Sequence, residues 1–170
     1  MKQTLQLKSM KDYAIISKCL DVDTIDDVKE FKETTEAMKT MNMTQQEIND
    51  IFKIVAAILT LGNLNFTEDE KEQSHVGNQQ ELDVIGKLLG VNPTDVEKAI
   101  CYRTISSGSA RSSVYKCSNN KEQAIYTRDA LSKSLYSRLF DWIVQKVNQA
   151  MYYPENNSTI TIGILDIYGL

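Results

Sequence analysis

Residues 120–151, NKEQAIYTRDALSKSLYSRLFDWIVQKVNQAM, contain neither glycine nor proline and repeat Leu131, Leu135, Leu139, Ile143, Val147 and Met151 at intervals of four. That spacing predicts one unbroken helix of about 45 Å at 1.5 Å per residue. Arg128, Lys133, Arg138, Asp141 and Lys146 supply polar positions around the stripe, and Phe140 and Trp142 are expected to widen its buried side. Pro154-Glu155-Asn156-Asn157 ends the run. An element of this length sets the fold class: mainly α with a few short strands.

On its N-terminal side the chain reads as a series of shorter helices. Thr44-Gln45-Gln46-Glu47 is a capping-box pattern, in which hydroxyl and carboxylate each satisfy an amide that the first helical turn leaves unpaired. The helix it opens carries Ile48, Ile51, Phe52, Ile54, Val55, Ile58, Leu59 and Leu61, apolar around most of its circumference, and so belongs in an interior. Gly62 is expected to stop it in a left-handed conformation, followed by a short extended segment at 63–66. Upstream, 9–20 is expected to be helical with Ser9 as cap, and a second helix is expected from a Thr24 cap, with Ile25, Val28, Phe31 and Thr35 on one side and an end near Asn42. Downstream, the acidic stretch 67–80 has few apolar side chains and reads as a surface loop. Leu82, Ile85, Leu88 and Leu89 mark a helix ended by Gly90, and Asn92-Pro93-Thr94-Asp95 starts another that runs to Cys101.

Between this helical region and the long helix, residues 102–105 and 113–117 favour extended structure, with Ser106-Ser107-Gly108-Ser109-Ala110 between them. The pattern predicts a β hairpin. From Lys98 to Lys121 the chain carries Lys98, Arg103, Arg111, Lys116 and Lys121 and no acid. Beyond the long helix, Ile160, Ile162 and Ile164 alternate with Thr161 and Gly163 before Leu165-Asp166, a strand-like run over 159–167. A buried strand needs neighbours for its backbone groups. The chain is therefore expected to be part of something larger.

Composition narrows the function classes. Glycine and proline number 7 and 2 among 170 residues, which disfavours collagenous, disordered and turn-rich β architectures. The net charge of −4 opposes a nucleic-acid partner held by a global basic field, so residues 98–121 form a basic protrusion on an acidic body. Cys19, Cys101 and Cys117 are widely spaced and His75 is the single histidine, which fits neither a disulfide framework nor a zinc site. No apolar run reaches the ~20 residues of a membrane span, and a soluble, cytoplasmic chain is expected. His75 and the acids at 68–70 read as solvated surface.

Two motifs carry chemistry. A strand ending in Asp166, with Gly169 after it, is how phosphate-handling α/β proteins hold a carboxylate near a Mg²⁺ water shell and bring a backbone amide to a phosphate. No G-x-x-x-x-G-K-[ST] sequence is present. In the hairpin, Arg111 stands two residues before Ser113 and Tyr115 two after it, a setting that suits a basic-directed kinase. A helical interaction module, whose basic hairpin docks an acidic partner under kinase control, is the alternative that the residues alone leave open.

Three separated segments in order, IFKIVAAILTLGNL at 51–64, RDALSKSLYSRLFDW at 128–142 and GILDIYG at 163–169, resemble a myosin motor domain, class I in particular and of the amoeboid and fungal type. The resemblance covers nearly the whole chain. It implies a fragment of a P-loop NTPase α/β motor domain over 1–170, spanning much of the upper fifty-kilodalton subdomain. Within it, 1–101 corresponds to the helical upper subdomain, 102–121 to the actin-facing loop named for cardiomyopathy, 120–151 to the helix behind that loop, and 159–170 to a core-sheet strand and switch II. Switch II in the family reads Asp-Ile-x-Gly-Phe-Glu; Asp166 and Gly169 match its aspartate and glycine, while Leu170 stands where phenylalanine is usual. Asp166 would then be second shell to Mg, with no direct metal ligand in this segment.

The same likeness implies ATP and Mg as cofactors of the intact motor and none for the fragment, which is not expected to turn over ATP alone. It implies actin filaments as partner through Arg103, Thr104, Ile105, Arg111, Ser113 and Lys116. Light chains would bind a neck outside this segment, and no membrane contact is expected from it. Ser113 lies sixteen residues before Asp129-Ala130-Leu131-Ser132-Lys133, where the family requires an acidic or phosphorylatable residue. It is the position that p21-activated-type kinases modify in amoeboid and fungal members, with Arg111 and Tyr115 as recognition residues. Location on the cytoplasmic actin cytoskeleton follows from the resemblance.

Overall fold

A computed structural model describes residues 3–106 and 114–152. In chain order the elements are α1 (Asp27–Thr40), α2 (Gln45–Leu61), β1 (Phe66–Glu68), β2 (Ser74–Val76), α3 (Gln79–Leu89), α4 (Pro93–Cys101), β3 (Tyr102–Ser106), β4 (Val114–Ser118) and α5 (Lys121–Met151). The strands form two separate antiparallel hairpins, β1–β2 and β3–β4. The described residues are thus mainly helical with short strands.

The capping box works as the sequence predicts. Thr44 Oγ1 accepts the Glu47 amide at 3.2 Å, and Glu47 Oε2 accepts the Thr44 amide at 2.8 Å. From that start α2 runs through the middle of the fold, packing against α3 on one side and α5 on another. Ile48, Ile51, Ala56, Ala57 and Leu61 are buried. The main core joins Leu61, Leu64 and Phe66 to Leu82 and Ile85 of α3, Val96, Ile100 and Cys101 of α4 and Ala124 of α5. Leu61, Leu82, Ile85 and Ile100 are fully enclosed, and each such side chain is worth about 1.5–3 kcal/mol relative to exposure. A second cluster lies further along α5, where Leu139 meets Met43, Ile48 and Ile51, flanked by Trp142, Ile143 and Val147.

The long helix is one element of 31 residues, capped by Asn120, whose side chain accepts the Gln123 amide at 2.9 Å. Its apolar stripe does not stay on one side. At about 100° per residue a step of four advances about 40° around the axis, so a strict four-residue repeat winds about the helix. Leu131 and Leu135 therefore serve the main core, Leu139 to Val147 serve the second cluster, and Met151 is left 60% exposed. The expectation that Phe140 is buried fails for the same reason: it lies with Tyr136 and Val144 on a face turned to solvent.

Several N-terminal expectations are also corrected. Residues 9–20 hold only a single 3₁₀ turn, Met10–Asp12, followed by turns. The backbone there is bonded elsewhere: Asn63 Nδ2 donates to Asp12 O at 2.6 Å, and Asn63 Oδ1 accepts the Ala14 amide at 2.9 Å. Tyr13 is buried and its hydroxyl accepts the Lys8 amide. Lys8 in turn pairs with Glu81 of α3. The cap of α1 is Asp26, not Thr24, because the Asp26 carboxylate accepts both the Val28 and Lys29 amides at 3.1 Å. No residue of α1 is buried, and its Phe31 stacks on Phe52 with ring centroids 5.2 Å apart.

Gly62 is right-handed at φ −58°, contrary to expectation, and the end of the exposed Ile15 side chain lies against it. Gly90 is the left-handed stop, at φ +69°. The stretch read as a loop holds the β1–β2 hairpin, with Phe66 opposite Val76 and Glu68 opposite Ser74. Its turn is built by Asp69, whose Oδ1 accepts the amides of Lys71 and Gln73 at 2.9 Å. The Gln73 amide holds the Asp69 carboxyl below its usual range, with His75, 3.5 Å away, a lesser contributor.

One ion pair bridges the two largest helices. Lys146 of α5 lies 2.5 Å from Glu47 Oε1 and 5.4 Å from the centre of the Trp142 ring. The Lys146 ammonium first, then the Thr44 amide and hydroxyl, holds the Glu47 carboxyl down to about 2. A carboxyl that ionises below its unfolded value of 4.5 contributes stability that is complete above about pH 4.5 and is lost as pH falls toward about 2. Glu47→Gln is expected to lower the thermal midpoint at pH 7 and to flatten its decline between about pH 4.5 and 2; parallel acid limbs for both proteins would show that the pair does not contribute. Gly86 supplies a second test, since a Cβ there would meet Pro93 Cγ at 2.7 Å and the Val91 carbonyl oxygen at 2.9 Å. Overpacking costs about 1–3 kcal/mol and exceeds the helix gain of at most about 1 kcal/mol, so Gly86→Ala should lower the urea midpoint with an unchanged slope.

Candidate functional site

The basic hairpin grows directly from the main core. α4 ends at Cys101, which is buried, and β3 continues without a loop; β4 returns to Asn119 and Asn120, where α5 begins. Tyr102 faces Ser118, Arg103 faces Cys117, Thr104 faces Lys116 and Ile105 faces Tyr115 across the pair. Side chains alternate along a strand, and directly opposed residues share a face. Arg103, Ile105, Tyr115 and Cys117 therefore lie on one face, and Tyr102, Thr104, Lys116 and Ser118 on the other. Ile105 and Tyr115 are 46% and 60% exposed, an apolar pair presented to solvent. On the second face Lys116 Nζ stands 4.3 Å over the centre of the Tyr102 ring.

The root is a polar knot inside the core. Asn119 is buried, and its amide nitrogen donates to Ile100 O at 2.8 Å while its Oδ1 accepts from Arg103 Nη1 at 3.0 Å. Its backbone amide donates to Cys101 O at 2.8 Å, and its carbonyl accepts the Ser74 amide of β2 at 2.9 Å. The Lys121 amide donates to Glu68 Oε1 at 2.6 Å, which ties the acidic hairpin to the start of α5. Arg128 Nη1 donates to Leu64 O at 2.9 Å two turns further on, beside its pair with Asp129. The basic strands thus leave a root held from several sides.

Of the residues singled out from sequence, Arg103, Thr104, Ile105, Tyr115 and Lys116 come together on this hairpin. Arg111 and Ser113 lie outside the described residues, as do Asp166 and Gly169 and the strand expected over 159–167. Asn119 and Gln123 were not singled out, although an Asn-Asn pair before a helix is a legible cap signal. Among the described residues no group of three or more His, Cys, Asp or Glu is arranged to hold a metal ion, and no helix is long and apolar enough to cross a membrane. Cys19, Cys101 and Cys117 are all free thiols, and burial pushes the Cys101 thiol up despite the Ser74 hydroxyl beside it.

Against this geometry the likeness to known proteins is direct. The family model for the myosin head (motor domain) matches residues 1–170. The myosin ID heavy chain of Dictyostelium discoideum is 46% identical over 164 residues, covering 93% of this chain and 15% of that protein. The myosin IC heavy chain of Acanthamoeba castellanii is 44% identical over 168 residues, covering 97% of this chain and 13% of its own, and the Myosin-5 of Candida albicans is 43% identical over 159 residues, covering 92% and 12%. The chain belongs to the myosin motor-domain family. Its relatives here are class I myosins, and it spans about one seventh of the length of the Dictyostelium protein.

The burial order of the thiols gives a check on the hairpin root. Ellman's reagent should modify Cys19 fastest, Cys117 more slowly and Cys101 only on unfolding; early modification of Cys101 would mean that the α4–β3 junction is open in solution.

Proposed function

We propose that this chain forms part of an ATP-driven class I motor working on actin filaments in the cytoplasm, with the β3–β4 hairpin as its filament-facing element. The observation that carries the reading is a family match over residues 1–170 together with a basic hairpin set on a rigid root in a chain of net charge −4. Lys116 supplies positive charge on one face of the hairpin, and Ile105 with Tyr115 supplies apolar area on the other. Such a combination suits an acidic protein surface with exposed apolar side chains, where charge speeds encounter and apolar contact slows release.

In this reading the chain contributes to a P-loop NTPase whose phosphate loop lies elsewhere in the motor. Bound ATP with Mg²⁺ supplies the energy. Asp166 would orient water near the metal as part of switch II, and the Gly169 amide would face the terminal phosphate. α5 supports this division of labour, because it starts at the hairpin root and Asp166 follows its end closely in sequence.

Ser113 would be the regulatory site, read by a p21-activated-type kinase through Arg111 and Tyr115; the phosphate would add about −1.5 to −2 charges to the basic hairpin. The kinase should label Ser113 in the intact motor. Ser113→Ala is expected to lower actin-activated ATP turnover several-fold and Ser113→Glu to preserve it, whereas equal turnover by all three proteins removes the regulatory role. The 170 residues alone should show no ATP turnover above background.

A further inference from the structure

A filament-facing hairpin brings to mind a contact role for each of its cations, but Arg103, although exposed, directs its hydrogen bonds to the hairpin root and the first turn of α5. We infer that Arg103, Gln123 and Asn119 form a joint that sets the direction of the basic hairpin, so that Arg103 is a positioning residue and the side chains offered to a partner are Ile105 and Tyr115 on one face and Thr104 and Lys116 on the other. The inference rests on the filament-facing reading only in its last step, that a misdirected hairpin binds less well.

The two N–H groups of Arg103 Nη1 are shared among three acceptors, Ser118 O at 3.2 Å, Asn119 Oδ1 at 3.0 Å and Gln123 Oε1 at 2.8 Å. Gln123 Oε1 also accepts the Asn120 amide at 3.1 Å, within the capping box that opens α5. The guanidinium is therefore clipped to the first turn of the helix. Asn119 completes the joint. It is 3% exposed, and through side chain and backbone it meets Ile100 and Cys101 of α4, Arg103 of β3, Ser74 of β2 and Thr127 of α5. A buried amide whose donors and acceptors are all engaged resists displacement, because any shift leaves a desolvated group unpaired.

A two-stranded hairpin is marginally stable in water and has no direction of its own, so its orientation must come from the root. The joint supplies it.

Two measurements separate the joint from the filament. In the 170-residue chain, hydrogen exchange should show the amides of β3 and β4 exchanging at least about tenfold faster in Arg103→Ala and in Gln123→Ala than in the parent. Gln123→Glu, which keeps the acceptor, should retain protection, and Lys116→Ala should leave it unchanged. Unaltered exchange in Arg103→Ala would overturn the joint whatever the filament does. In the intact motor, co-sedimentation with actin filaments at low and at raised KCl should give Arg103→Ala and Gln123→Ala the same fractional loss of affinity at both salts, while the deficit of Lys116→Ala should shrink as salt screens it. A deficit of Arg103→Ala that vanishes at high salt, with Gln123→Ala silent, makes Arg103 a contact residue and overturns the assignment. Failure of the parent motor to bind filaments counts against the filament reading alone, since the exchange result still decides the joint.

Discussion

The half-buried packing of α5 is the constraint on which the other features rest. A helix of 31 residues has only one set of faces to offer, and a four-residue repeat cannot keep all its apolar side chains on one of them. α5 resolves this by serving two clusters in turn: Ala124, Leu131 and Leu135 meet the core under the basic hairpin, and Leu139 to Val147 meet the first turns of α2. The Lys146–Glu47 pair lies in this second region, at the capping box of α2. Tyr136, Phe140 and Val144 remain outside as the geometric consequence.

The two hairpins divide the charge of the surface. β1–β2 carries Glu68, Asp69, Glu70 and Glu72 around its turn, and β3–β4 carries the basic residues, yet both are rooted on the same few backbone groups around Asn119. The acids face solvent and help their own turn, as Asp69 does by accepting two amides. The cations differ among themselves. Arg103 is drawn into the root, whereas Lys116 sits over Tyr102 on an outward strand. Equal formal charges in one hairpin therefore have unequal roles, and the difference comes from which polar atoms each side chain reaches.

Elements opened or closed by local chemistry were legible in the sequence. The Thr44–Glu47 box, Asn92-Pro93 at the start of α4, the left-handed Gly90 and the uninterrupted run from Lys121 to Met151 need no distant partner to act. The misreadings fall where a distant partner decides. Residues 9–20 have a helical pattern, but Asn63 takes the backbone groups that a helix would pair internally. Gly62 ends α2 in a right-handed conformation with the Ile15 side chain against it, a contact that spacing along the chain cannot reveal. Residues 67–80 are polar enough for a loop, yet pairing of Phe66 with Val76 and anchoring of the Ser74 amide on Asn119 make them a hairpin.

The candidate site divides along the same line. Sequence alone pointed to a basic hairpin with strands at 102–105 and 113–117 ahead of a long helix, because strand propensity, the run of small residues between them and the lack of acids are all local properties. Tertiary structure alone decided which way each side chain is used. Strand register put Ile105 beside Tyr115, and burial of Asn119 turned Arg103 toward the helix. A hydrogen bond between groups far apart in the chain depends on where the core carries them, and the core is the sum of many weak apolar contacts that no single segment specifies.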